Sequence, residues 1–237
     1  MRVLFFTATM FRESILSVLF PNRCALCGRY VAEEGSALCP DCIAALPRTE
    51  QAFLRQNSTE QLFQKMPHVL SAAAFLFFDH DSTFRLAIHQ MKYRERPEVG
   101  RQLARIAARE FAAHDFFDGI DVIVSVPLHE KRFRERGYNQ SEWIARGLSD
   151  VTGIPVDTEH LLRRVNNPKQ ALLHSDDRTR NVENIFCVSH PEEMYHKHIL
   201  LVDDIITTGS TITSCLHAMR AFRGSSFSIF ALGKARS

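Results

Sequence analysis

Apolar positions along this chain fall into runs of two alternating kinds. Val69 to Phe78 is an almost unbroken apolar stretch, which predicts a buried strand. Asp81 to His114 has helical spacing instead, with Leu103, Ile106, Ala107 and Phe111 on one face and a break expected near Pro97. Ile120 to Val126 returns to a strand pattern, rich in β-branched residues and closed by Pro127. Gln140 to Val151 predicts a helix stopped by Gly153 and Pro155. Ile199 to Val202 predicts a short buried strand, then a Thr/Gly turn, a helix through Ala221 and a last strand at Phe227 to Leu232. Residues 163–184 are polar and charged, with little periodicity. Strands alternating with helical patterns predict an α/β domain.

That domain is expected over 69–237, after a cysteine-bearing segment at 1–50 and a polar connector at 51–68 that ends near Pro67. The first twenty residues are apolar, but Arg12 and Glu13 interrupt them and no small-residue cleavage site follows before the cysteines. The run is too short and broken to span a bilayer. It reads as an amphipathic lead-in helix with Phe11, Ile15, Leu16 and Leu19 on one face, and a cytoplasmic location is expected. Composition agrees with a globular protein: 45% hydrophobic and 24% charged residues argue against a disordered chain, a coiled coil, a collagen-like fibre or a membrane bundle. The net charge of +2 and pI near 8.3 neither demand nor forbid a nucleic-acid partner, so anion binding must come from local clusters.

Four of the six cysteines form two CxxC pairs, Cys24/Cys27 and Cys39/Cys42, with eleven residues between the pairs. Each pair suits a tight knuckle that aims two thiolates at one ion, and two knuckles complete a tetrahedron. Gly28 fits the turn such a knuckle needs. Two local disulfides or a redox CxxC are the alternatives, and close duplication favours zinc over both. Four thiolates leave no open coordination position, so the ion is expected to be structural. Cys187 and Cys215 read as small buried apolar residues.

The segment Ile199-Leu-Leu-Val-Asp-Asp-Ile-Ile-Thr-Thr-Gly-Ser-Thr211 carries the most chemistry. A strand runs into two acids, then a hydroxyl-rich turn, then a helix. Backbone N–H groups at that helix start and the hydroxyls of Thr207, Thr208, Ser210 and Thr211 suit a phosphate dianion, with Gly209 allowing close approach. Asp203 and Asp204 are better placed to accept hydrogen bonds from sugar hydroxyls, and one of them suits a magnesium ion. A Walker loop is disfavoured because no lysine precedes the hydroxyls, and a receiver domain has no need of such a cradle.

Val202 to Thr211 resembles the phosphoribosyl pyrophosphate (PRPP) motif of type I phosphoribosyltransferases. Val124-Ser-Val-Pro-Leu-His129, Arg132, Arg136-Gly-Tyr-Asn-Gln140, Met91-Lys-Tyr-Arg94 and Gln170…Leu173…Arg178…Asn181…Phe186 narrow the resemblance to the ComF family of competence-related proteins. The cysteine cluster after Phe20-Pro21 matches that family's zinc ribbon. The resemblance implies a type I phosphoribosyltransferase fold, α/β with a mostly parallel sheet flanked by helices, beside a small four-cysteine zinc-ribbon module. It implies that Asp203 and Asp204 meet the ribose hydroxyls of PRPP, that Thr207 to Thr211 hold its 5′-phosphate, and that Pro127, Leu128 and His129 lie by pyrophosphate.

Within that resemblance Arg132 and Arg136 become anion clamps, Lys92 faces phosphate, and Gln170, Arg178 and Asn181 are candidates for closing a hood. Without it, the charged run from His129 to Gly137 reads as a solvated turn. The implied reaction is phosphoribosyl transfer from PRPP to an unidentified acceptor. An acid usual in purine-salvage members is replaced by Thr207, which disfavours that acceptor class. The alternative from the same resemblance is a competence module that handles single-stranded DNA beside a helicase-like partner, without turnover. A third reading is a sensor of PRPP or a nucleotide that reports through the zinc module.

Overall fold

The structure is a computed structural model that describes residues 22–33, 35–66, 68–79, 83–93, 96–164 and 185–236. The lead-in segment and Gln170, Arg178 and Asn181 lie outside the described residues. Two compact units divide between Leu46 and Pro47.

The first unit is built on the cysteine pairs. Cys24 N–H donates to Arg29 O at 2.8 Å and Gly28 N–H returns to Cys24 O at 2.9 Å, closing the first knuckle. Gly28 takes φ +73°, a left-handed conformation that favours glycine. Cys39 precedes helix α1 (Pro40–Ala44), whose Pro40 suits the first helical position and brings Cys42 round on the first turn.

The second unit carries a five-stranded sheet. Helix α2 (Glu60–Phe63) leads to β1 (Val69–Phe78), and α3 (Thr83–Tyr93) and α4 (Glu98–Ala112) lead to β2 (Val122–Ser125). Then come α5 (Glu130–Arg136), α6 (Gln140–Thr152), β3 (Val156–Asp157), β4 (Leu161–Arg163), β5 (Phe186–Val188), β6 (His198–Ile206), α7 (Ser210–Met219) and β7 (Ser226–Ala235). The sheet order is β1-β7-β6-β2-β3 and every pairing in it is parallel. Parallel neighbours need crossovers, and the helices supply them while covering both faces. That is why Ile199 to Val202 is wholly apolar and wholly buried. β4 and β5 form a separate antiparallel pair.

The expected elements at 69–78, 140–151 and 227–232 are found, and the helical pattern over 81–114 divides at Pro97 into α3 and α4. Three features differ. β6 runs on to Ile206, so both acids belong to the strand. The charged run after β2 is a helix rather than a turn, because His129 caps it, its Nδ1 accepting from Lys131 N–H at 3.1 Å, and Gly137 ends it at φ +77°.

The polar stretch expected as a connector is, in its described residues, sheet protection. β1 is an edge strand, and its open backbone groups are taken up. Phe77 N–H donates to Pro47 O at 2.8 Å and Thr49 N–H to Phe75 O at 3.0 Å. Ala74 N–H donates to Gln51 Oε1 at 3.0 Å, and Asn57 Nδ2 donates to Ala72 O at 2.9 Å. Gln51, Asn57 and Thr59 are buried for this reason. Gln51 and Asn57 meet the strand backbone directly, and the Thr59 hydroxyl donates to Gln51 Oε1 at 2.7 Å.

On one face α4 crosses α6 closely. A Cβ built on Gly147 would lie 2.4 Å from Arg101 O and 2.7 Å from Ala104 Cβ. Asp150 draws Arg101 and Arg105 together at 2.7 Å each across the same contact. Gly147→Ala is expected to lower stability by about 1–3 kcal/mol through overpacking, despite alanine's better helix propensity, measured by urea denaturation.

Candidate functional site

The site lies at the carboxyl end of the sheet, where β6 outruns β2. Ser125 is the last residue of β2 and pairs with Val202; Val126 N–H still donates to Val202 O at 2.9 Å before the chain turns at Pro127. From Asp203 onward β6 keeps only β7 as a neighbour. A crevice of this kind, opened by departing neighbours, is the usual ligand position in parallel α/β sheets.

Each acid is held by a different element. Ser141 Oγ on α6 donates to Asp203 Oδ1 at 3.0 Å, and Asp204 N–H donates to the same oxygen at 2.8 Å. Lys92 Nζ on α3 meets Asp204 Oδ2 at 2.6 Å in a largely buried ion pair. Two adjacent carboxylates in a partly dry site oppose one another's ionisation. Burial first, and then the charge of Asp204, push the Asp203 carboxyl up to about 7. The Asp204 amide, Ser141 and Lys92 act against that rise.

The loop after β2 sets these partners. Asn139 Nδ2 donates to Val126 O at 3.0 Å, while its Oδ1 accepts from Ser141 N–H at 3.2 Å and caps α6. Tyr138 OH donates to Met91 O, and the Arg136 guanidinium lies 5.3 Å from the Tyr93 ring centre. The Arg-Gly-Tyr-Asn segment therefore grips the last turn of α3, where Lys92 sits. Arg132 is exposed on α5, and Pro127, Leu128 and His129 are half-buried at the mouth of the crevice.

Beyond the acids, Thr207, Thr208, Ser210 and Thr211 are all exposed. Gly209 enters α7 at φ +77°, and at the helix start Thr208 Oγ1 accepts from Ser210 N–H at 3.4 Å. A Cβ there would stand 3.0 Å from the Phe63 ring, so α2 supports the loop from beneath. Ser141 was not singled out from sequence, nor was Arg163 of β4, whose guanidinium lies 5.4 Å from the Phe186 ring centre. Gln140 is buried too, and its Nε2 has no hydrogen-bond partner among the described residues.

In the first unit, the four cysteine sulfurs lie within 4.8 Å of one another, and Cys27 Sγ is 3.7 Å from Cys39 Sγ. A tetrahedron of sulfurs about 2.3 Å from zinc has edges of about 3.8 Å, so the donor set fits zinc. Arg29 Nε donates to Cys27 Sγ at 3.4 Å, and its guanidinium pairs with Asp41 at 2.9 Å. The Arg29 hydrogen bond brings the Cys27 thiol down to about 6. A family profile described as a double zinc ribbon domain matches residues 15–53. That stretch holds these four cysteines, enough for one ion.

Comparison with known proteins places the chain. The DNA utilization protein YhgH of Escherichia coli O157:H7 is 31% identical over 195 residues, 80% of this chain and 80% of that protein. Competence protein ComFC of Bacillus subtilis is 27% identical over 201 residues, 84% of this chain and 72% of that protein. This chain belongs to the ComF family. Among solved structures, the glutamine PRPP amidotransferase of B. subtilis is similar at TM-score 0.42 and 21% identity. The match covers 61% of the ComF-family chain but only 30% of that larger one. Adenine phosphoribosyltransferase of Leishmania tarentolae is similar at TM-score 0.38 and 12% identity, over 80% of this chain and 94% of that one. No helix among the described residues is long and apolar enough to cross a membrane.

Two outcomes are expected of this ComF-family chain. Cys24→Ser removes one of four thiolates, so bound zinc should fall from one ion per chain to a small fraction, read by atomic emission with protease resistance of the first unit. Asp203 is easier to keep protonated in the folded chain than in the unfolded one. Its contribution to stability is thus present below about pH 4 and lost as pH rises through about 7. Without ligand, Asp203→Asn should melt above wild type at pH 8, with the gap closing toward pH 4. Equal melting shifts at both pH values would contradict the buried-acid account.

Proposed function

We propose that this protein binds PRPP at the end of β6 and transfers its phosphoribosyl group to an acceptor, releasing pyrophosphate. The observation that carries the reading is the order of parts along one short path. Two oriented carboxylates, Asp203 fixed by Ser141 and Asp204 fixed by Lys92, are followed directly by a helix start with four exposed hydroxyls, where Ser210 N–H makes a long 3.4 Å contact to Thr208 Oγ1.

Vicinal ribose hydroxyls are donors, and two fixed carboxylate oxygens accept them. The 5′-phosphate then reaches the N–H groups and hydroxyls of Thr207 to Thr211, with Gly209 keeping the backbone open. Pyrophosphate lies toward Pro127 to His129, within reach of Arg132. In the transfer the C1–O bond breaks and pyrophosphate leaves with its electron pair. The acceptor's nucleophile forms the new bond at C1 and gives up its proton. Cations at the leaving group favour the transition state more than the ground state, since charge grows there as the bond breaks.

Magnesium fits this donor set as an oxygen-seeking ion carried by the pyrophosphate, near Asp203 and Asp204, and would supply further charge neutralisation. Lys92 occupies Asp204 without ligand, which keeps the acids compatible with one another until ribose hydroxyls arrive. Gln170, Arg178 and Asn181, outside the described residues, remain proposals for closing the site.

Isothermal titration with PRPP and magnesium tests the reading, on wild type and the Asp203→Asn/Asp204→Asn variant together. Saturable binding by wild type, weakened at least about 100-fold in the variant, is expected from losing two charge-assisted contacts. The relatives named for DNA utilization and competence favour a second reading, a single-stranded DNA-handling module. Failure of a folded, zinc-loaded wild type to bind PRPP, with retained binding of an oligothymidine, would put that reading first.

A further inference from the structure

A cavity of about 610 Å³ lies at the amino end of the sheet, away from the paired acids. Its walls are the start of β1, the polar stretch before α2 and the turn that follows α4. His198 opens β6 and lines this cavity, so the floor lies about 17 Å along the strand from Asp203.

The floor is a chain of hydrogen bonds. Ser71 Oγ stands 2.8 Å from Ser228 Oγ, and Ser228 Oγ stands 2.8 Å from His198 Nε2. The backbone of Gly119 lies at the other edge of the ring, where a Cβ on Gly119 would stand 3.9 Å from Nδ1. Loss of water holds the His198 ring below its ordinary value, against a hydrogen bond to the Gly119 backbone and the charge of Asp121. A neutral ring has one donor nitrogen and one acceptor. The bond to Gly119 favours the protonated ring, so its partner is the carbonyl and Nδ1 is the donor. Nε2 then accepts from the Ser228 hydroxyl, and Ser228 Oγ accepts from Ser71. The chain ends at the half-buried Ser71 Oγ, whose lone pairs are left for a donor inside the cavity.

The walls favour the same kind of guest. Three carboxylates, Glu60, Asp115 and Asp118, line the cavity against one guanidinium, Arg55. None of the three makes an ion pair or a side-chain hydrogen bond among the described residues. Helix α4 ends beside them at Ala112, and the carboxyl end of a helix carries partial negative charge. At the rim Phe53 is exposed, its ring centre 5.1 Å from that of His114, and Leu54 and Leu70 extend the apolar edge. A guest with a charged N–H donor at one end and an apolar body at the other satisfies the floor, the acids and the aromatic face together. An anion satisfies Arg55 and is repelled by the rest.

We propose that this cavity binds a small organic ammonium ion, which donates to Ser71 Oγ and the neighbouring carboxylates and lays its apolar body against Phe53 and Leu70. The site does not depend on the PRPP reading and stands at the opposite end of the sheet from it.

The probe is phenethylammonium, with 3-phenylpropionate as a similar ring of opposite charge. Each is titrated into the zinc-loaded full chain and followed in proton–nitrogen correlation spectra. Phenethylammonium should saturate with a Kd of about 1 mM or tighter, moving the amides of residues 53–60, 71 and 114–118. Phenylpropionate should bind at least about tenfold more weakly. Asp115→Asn/Asp118→Asn alters exposed side chains, and asparagine tolerates the φ of +58° at Asp115, so folding is kept. That variant and Ser71→Ala should each weaken the amine at least about fivefold. Long-range ring-nitrogen spectra should show His198 protonated at Nδ1. A ring protonated at Nε2 reverses the chain and makes Ser71 a donor, which overturns the proposal. Equal affinity for the two probes, no saturation by the amine, or amine binding that survives these substitutions overturns it too. Binding of PRPP, or its failure, leaves every one of these outcomes unchanged.

Discussion

Two neighbouring carboxylates at the end of a buried strand repel one another and both lose water. The site is organised around that constraint. Asp204 is neutralised by Lys92 from α3, and Asp203 is given hydrogen-bond donors by Ser141 and by the Asp204 amide. The compensation is incomplete, since the Asp203 carboxyl still sits well above its ordinary value. Strain of this kind concentrates at functional sites, where a ligand's donors relieve it. Sugar hydroxyls are suited to do so, because they bring donors without bringing negative charge.

The supports of the acids come from distant parts of the chain. Tyr138 and Arg136 fix the last turn of α3 and so place Lys92. Asn139 ties the loop after β2 to the start of α6 and so places Ser141. The loop from Thr207 to Thr211 rests on Phe63 of α2, within the polar stretch whose other residues seal the edge of β1. One short segment thus prevents edge pairing and supports the loop after β6.

The cysteine unit is held together differently. It buries Val31, Ala37 and Leu38 but has few other large apolar side chains among its described residues, too little for a stable core. Its knuckles and the Arg29–Asp41 pair arrange sulfur donors at the spacing of a zinc tetrahedron. Metal binding supplies the cohesion that a larger unit draws from hydrophobic burial.

Features with a local cause were legible in the sequence. Both CxxC knuckles, the acid–hydroxyl–glycine run from Asp203 to Thr211, the apolar strand at Val69 to Phe78 and the break at Pro97 depend on residues within a few positions of one another. Whatever depends on partners far along the chain waited for the fold. β4 and β5 are three residues each and, among the described residues, pair only with one another, so no periodicity marks them. Gln51 and Asn57 read as linker residues because their polarity is visible and the edge strand they satisfy is not. Ser141 and Arg163 look like any helix serine or surface arginine until the fold brings one to Asp203 and half-buries the other beside Phe186. A residue's chemistry is written in its side chain. The water it loses and the charges it meets are set only when the chain has folded.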